Sequence, residues 1–164
     1  MIRENVVKVG MADLKVAAGG AVLKTTGLGS CVGLTLYDER AKIAGMAHVM
    51  LPTSEIAREA PINVAKYADT SIPRLIELMR TEGAVARRFV AKMAGGAQMF
   101  AFHASSDAMR IGPRNVESCR LMLERFDIPL LSEDTGANYG RTIEFNSLNG
   151  MLTIRSVQQG VKEI

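Results

Sequence analysis

Tryptophan is absent, and the other aromatics are few: five phenylalanines and three tyrosines in 164 residues. Stacking platforms for unpaired bases are therefore poorly supplied. Charge is not concentrated either. The net charge is +3 and the isoelectric point about 9.0, with lysines and arginines scattered. The longest basic pairing, Arg87-Arg88, reads as a solvated loop and not as a nucleic-acid patch. Such mild basicity suits an acidic protein partner. No apolar run approaches the roughly 18 residues of a membrane span. The first residues, Ile2-Arg3-Glu4-Asn5, are polar and do not resemble a signal peptide. The expectation is a cytoplasmic protein with no membrane insertion. Two cysteines are too few for a disulfide framework, and a cytosolic pair stays reduced. With only two histidines and no tight Cys/His cluster, neither a metal site nor a cofactor is expected.

What is present suits one folded unit. The length fits a single domain over residues 1–164, and 48% hydrophobic residues are enough for a core. Strand-like stretches crowd the first half: Val6–Gly10, Asp13–Ala17, Ala21–Thr25, Val32–Tyr37 and Lys42–Leu51. No strand–helix–strand rhythm precedes residue 60, which argues against a doubly wound parallel sheet. Apolar residues at helical spacing predict a helix over Tyr67–Met79, with Thr70 or Ser71 as cap, Pro73 in its first turn and Gly83 at its end. Phe89–Ala94 reads as a strand broken by Gly95-Gly96, a tight turn or a cradle for a carbonyl. Asn115 reads as the N-cap of a second helix that buries Val116, Cys119, Leu123 and Phe126, so Cys119 is assigned to the core. A strand starts at Ile128–Leu131, and Asn149-Gly150 predicts a hairpin between Arg141–Phe145 and Met151–Arg155. The final residues read as a loose tail. The fold class expected is α+β, with mixed sheets layered against at least two helices.

The stretch from Thr25 to His48 holds the chemistry. Gly27, Gly29 and Gly33 surround Ser30-Cys31, and a strand follows at once. If a hairpin turns about the charged break Asp38–Ala41, Cys31 lies directly across from His48, with Cα atoms about 4.5–5.5 Å apart. Val32, Leu34 and Leu36 then share an apolar face with Ile43, Gly45, Ala47 and Val49. Cys31, Gly33, Thr35 and Tyr37 share a mixed face with Lys42, Ala44, Met46 and His48. A free thiol titrates near pH 8.5, roughly, so an adjacent imidazole that takes its proton makes it a nucleophile at neutral pH. The glycines let a substrate approach backbone and leave N–H groups for an oxyanion. On the residues alone two readings stand: an active-site pair, or a buried thiol beside a satisfied core histidine. Two nearby motifs fail. Gly27-x-Gly29-x-x-x-Gly33 has its third glycine one residue late for a dinucleotide fingerprint, and Leu28 occupies the first glycine position of a serine nucleophile elbow.

The stretches Thr25–Val32 and Gly45–Pro52 resemble the nucleophile and histidine motifs of the CheD family, the chemoreceptor glutamine deamidases of bacterial chemotaxis. The likeness continues in Lys66–Asp69, Gly95–Ala97, Ile111–Val116 and Asp134–Arg141, and so spans nearly the whole chain. One departure is Ala137, where the family has a second glycine. The resemblance implies a thiol amidohydrolase that converts glutamine side chains of receptor signalling domains to glutamate. It implies Cys31 as nucleophile, His48 as base, and Thr25 as the residue that orients the imidazole. On the residues alone Thr26 is as good a candidate for that third role. A fold related to the cytotoxic necrotizing factor toxins is also implied, as is a CheC-type phosphatase as partner. Two other functions remain open: a binding module acting on that phosphatase, and a transglutaminase-like or peptidase thiol enzyme. His103 is the rival base, but neither the hairpin geometry nor the family motif reaches it.

Overall fold

A computed structural model describes residues 5–99 and 110–164. Its organising pair is β4 (Val32–Asp38) and β5 (Ile43–Val49), every residue of which is buried. A strand buried on both faces needs a layer on each side, and the two faces do meet different cores. Val32, Leu34, Leu36, Ile43, Ala47 and Val49 pack with helix residues that include Ile72, Leu75, Met79, Val116 and Cys119. Cys31, Tyr37, Ala44 and Met46 pack with Leu23, Leu28, Ile143, Phe145 and Ile154 of a second sheet. The alternation expected from sequence is therefore correct, and its mixed face lies between two sheets.

Among the described residues there are ten strands and two α-helices. One sheet has the order β1 (Val6–Lys8), β3 (Val22–Leu28), β8 (Arg141–Asn146), β9 (Leu152–Ser156), β10 (Gly160–Glu163). The other has β2 (Leu14–Ala18), β5, β4, β6 (Val90–Gly95), β7 (Leu130–Thr135). Each is mixed, since β1/β3 and β6/β7 are parallel and the remaining pairs antiparallel. Helices α1 (Ala68–Thr81) and α2 (Ile111–Arg125) cover the outer face of the second sheet. The class is α+β, layered sheet on sheet on helix. Gly45 allows α1 to sit close: a Cβ there would lie 2.7 Å from Met79 Sδ and 2.8 Å from Leu75 Cδ1. Burial of each large apolar side chain in these two cores is worth about 1.5–3 kcal/mol.

Several local expectations change. The β4–β5 register pairs Gly33 with His48 and Val32 with Val49, so Cys31 is not directly opposite His48. The reason is Asp38. It is not part of the turn but the last, fully buried residue of β4, paired with Ile43. Its carboxylate accepts from Ala41 N–H at 3.1 Å, Val85 N–H at 2.9 Å, and Arg88 Nε and Nη2 at 2.9 and 2.7 Å. Burial raises its pKa, but Arg88 and the backbone donors outweigh that and hold it at about 2. The turn becomes residues 39–42, with Lys42 at φ +57°, and the whole register moves by two residues. A shift of two preserves the faces.

Strand β3 does not stop at Thr25 but runs to Leu28 through a bulge. Helix α1 is capped by Tyr67 without a side-chain hydrogen bond, not by Thr70 or Ser71, and Pro73 lies beyond its first turn. Helix α2 starts four residues before Asn115, with Arg110 as N-cap, and Phe126 is a half-exposed C-cap. The β8–β9 connection spans residues 147–151 and is not a two-residue Asn-Gly turn; among these only Gly150, at φ +73°, is left-handed. The expected loose tail is instead β10. There, Ile164 exchanges backbone hydrogen bonds with Leu152 at 2.9 and 3.0 Å, and Lys92 Nζ lies 2.8 Å from the Ile164 carbonyl. Ala137 takes φ +59°, a conformation that favours glycine.

Candidate active site

Strand β3 faces the second sheet with Leu23 and Thr25, then would turn Gly27 inward by strict alternation. Between Thr25 and Leu28 it inserts one extra residue relative to β8: Thr25 pairs with Ile143 and Leu28 with Arg141. Gly27, at φ +72°, supplies the left-handed conformation the bulge needs. The result buries both Thr25 and Leu28 and leaves Thr26 and Gly27 exposed. Of the two threonines, Thr25 is the one that reaches His48, with its Oγ1 2.7 Å from His48 Nδ1.

That contact has a defined direction. Thr25 Oγ1 also lies 2.7 Å from the Val9 carbonyl, which can only accept. A hydroxyl has one proton to give. Thr25 therefore donates to Val9 and accepts from Nδ1–H of His48. The imidazole is thereby the tautomer with a bare Nε2. Nε2 is buried and has no hydrogen-bond partner among the described residues. His48 itself is fully buried, and burial lowers its pKa, so it rests neutral with its lone pair open.

Cys31 immediately precedes β4 on the same face as Gly33 and His48. It is thus diagonal to His48, a separation of about 7–8 Å between Cα atoms in a regular ladder. It is 7% exposed, and burial pushes its thiol pKa up. Both shifts favour the neutral pair over a standing thiolate–imidazolium ion pair.

The backbone at Cys31 is tightly held. Gly96 N–H donates to the Cys31 carbonyl at 2.8 Å, and Ala97 N–H donates to the Gly29 carbonyl at 2.9 Å. A side chain at Gly95, φ +111°, would collide with the Cys31 carbonyl. Gly95-Gly96 thus serves close approach to the Cys31 backbone, and the Gly96 N–H is already used. Gly33 likewise leaves room for protein, not for substrate: a Cβ there would collide with Ile143 Cδ1.

The structure brings Thr25 and His48 into contact and sets Cys31 on their face. His103 lies outside the described residues. Cys119 is fully buried on α2, with its pKa pushed up to about 12 by burial. Among the described residues no three His, Cys, Asp or Glu side chains converge as metal ligands. Two neighbours escape a reading of the sequence. One is the Val9 carbonyl, which no side-chain pattern reveals. The other is Asn115, whose Nδ2 donates to the carbonyls of Ser30 at 2.9 Å and Met50 at 3.0 Å. A signal for Asn115 does exist. Its spacing from Val116, Cys119 and Leu123 puts it on the buried face if the helix begins earlier.

A family model described as CheD chemotactic sensory transduction matches residues 50–156. The chain is 52% identical over 160 residues to a protein of Halalkalibacterium halodurans named chemoreceptor glutamine deamidase CheD, covering 98% of this chain and 99% of that one. It is 49% identical to the Bacillus subtilis protein of the same name, covering 97% and 96%. It is 50% identical over the full length of both chains to a Geobacillus kaustophilus protein named probable chemoreceptor glutamine deamidase CheD.

Proposed function

Since the chain belongs to the CheD family, we propose that it is a protein-glutamine glutaminase that deamidates chemoreceptor glutamines, with Cys31 as nucleophile, His48 as base and Thr25 as its orienting residue. The observation that carries the mechanism is the directed chain from the Val9 carbonyl through Thr25 to His48. It leaves Nε2 unprotonated on the face that bears Cys31.

The steps follow from that tautomer. Nε2 takes the proton from Cys31 Sγ as sulfur attacks the carbonyl carbon of the side-chain amide. The resulting imidazolium, still bonded to Thr25 through Nδ1–H, returns the proton to the amide nitrogen. The C–N bond breaks, ammonia leaves, and a thioester remains on Cys31. Neutral His48 then takes a proton from water as it attacks the thioester. The C–S bond breaks, the sulfur recovers its proton, and the amide has become a carboxylic acid. Because Cys31 and His48 both rest neutral, His48 removes the thiol proton only as sulfur attacks an electrophile.

The finer expectations belong to the same reading: a cytoplasmic single domain related to the cytotoxic necrotizing factor deamidases, able to bind a CheC-type phosphatase. The test is the intact mass of a receptor cytoplasmic fragment incubated with the native protein or with Cys31→Ala. Conversion of amide to acid adds about one dalton per site, with release of ammonia. A gain with the native protein alone supports the assignment. No gain across several receptor fragments refutes it, and phosphatase binding that survives Cys31→Ala would then favour the binding module.

A further inference from the structure

Asn115 is fully buried, five residues into α2, with Gly112 and Val116 on the face that packs on the sheet. Asparagine is a poor choice there. It disfavours helix, and its neighbours on that face are apolar. Its Oδ1 is also buried with no hydrogen-bond partner among the described residues. Fold stability alone would be better served by an apolar side chain.

What the amide does have is a use for both N–H donors. One bonds the carbonyl of Ser30, the residue before Cys31. The other bonds the carbonyl of Met50, two residues after His48. The partners are both carbonyls, so the amide nitrogen must be the atom that faces them. These carbonyls lie just past Val32–Val49, where the β4–β5 ladder stops. Asn115 thus adds a side-chain rung at the open end of the hairpin, beside Cys31 and one pair past His48, where β4 and β5 no longer pair.

We propose that Asn115 is a positioning residue of the active site: its amide ties the Cys31 segment to the strand bearing His48, so that sulfur and Nε2 stay within reach during proton transfer. The role rests on the catalytic assignment above, but its test needs no receptor. The readout is the rate of Cys31 alkylation by iodoacetamide at pH 7.5, followed by peptide mass so that Cys119 is scored separately. Native protein, Asn115→Ala, His48→Ala and the double variant form a cycle.

If Asn115 acts by aligning the pair, Asn115→Ala slows alkylation about tenfold or more, and has no further effect once His48 is gone. Asn115→Ser keeps one donor and recovers part of the rate. Met122→Ala, a loss of packing on the same helix, leaves the rate as native. The proposal fails if Asn115→Ala alkylates at the native rate, if it changes the rate equally with and without His48, or if Met122→Ala slows it as much. Should the alanine variant not fold, Asn115→Ser takes its place in the cycle, and the same outcomes support or overturn the proposal. A native protein that shows His48-dependent alkylation and this coupling, yet deamidates no receptor, overturns the substrate assignment and leaves the positioning role intact.

Discussion

Replacing Thr25 by valine keeps the shape of the side chain and deletes one hydroxyl. Two hydrogen bonds of 2.7 Å disappear together, one to the Val9 carbonyl and one from His48 Nδ1–H. All three groups are inaccessible to water or nearly so: Thr25 is 2% exposed, Val9 3% and His48 0%. A buried polar group left unpaired costs about 1–3 kcal/mol. Moving the proton from Nδ1 to Nε2, which has no partner among the described residues either, does not spare His48 that cost, and that tautomer cannot take the thiol proton. The loss therefore reaches activity by whichever route the ring takes. A term of about 1–3 kcal/mol in the barrier slows the reaction roughly 5- to 150-fold. The Val9 carbonyl stays orphaned in either case, so stability falls by about 1–3 kcal/mol, or roughly 3–10 °C in Tm for a chain of this size. Thr25→Ser retains the hydroxyl and restores most of both. The assays are deamidation by intact mass, thermal unfolding, and ring-nitrogen NMR of His48 to read its tautomer. A valine variant with native rate and Nδ1 still protonated would refute the reasoning, because the hydroxyl would then not select the tautomer.

Protonation of His48, the proposed base, links activity and stability to acid. Its folded pKa lies below the unfolded 6.5, so the unfolded chain binds the proton more readily. Stability is full above pH 6.5 and is lost as pH falls below it. Urea unfolding at pH 7.5 and 5.5 should show a larger loss for the native protein than for His48→Gln, and the acid limb of kcat/KM should fall below 6.5. Gly33→Ala forces a methyl into Ile143 Cδ1. It should cost about 1–3 kcal/mol of stability, partly recovered by adding Ile143→Val, as denaturant midpoints will show. Ala137 occupies a left-handed conformation at φ +59°. Ala137→Gly should relieve more strain than it adds in unfolded-chain entropy, raising stability by up to about 1 kcal/mol without changing the rate.

Much of the central hairpin is legible in one dimension because strand faces depend on parity alone. Val32, Leu34 and Leu36 fall on one side and Cys31, Thr35 and Tyr37 on the other. A register displaced by two residues leaves that division untouched. The displacement itself traces to Asp38, which looks like a turn residue in a charged break. It becomes a strand terminus only because Arg88, fifty residues away, covers its carboxylate. Asn115 misleads for a similar reason. An asparagine before an apolar run is a good helix cap, and only the carbonyls of Ser30 and Met50 explain it as a buried interior residue. The C-terminal segment resembles a tail because its partner strand, β9, has to be in place before an edge exists to receive it.

Local periodicity, composition and spacing are enough for the fold class, for the faces of the central hairpin, for Cys119 as a core residue, and for Cys31 and His48 on one face. Those signals hold wherever the chain is placed. Which threonine meets His48, which way the hydrogen bond between them runs, and the neutral resting state of thiol and imidazole are set in three dimensions. They depend on a bulge at Gly27, on the Val9 carbonyl just past the end of β1, and on burial between two sheets. These are contacts between segments far apart in the chain, and no local pattern encodes them.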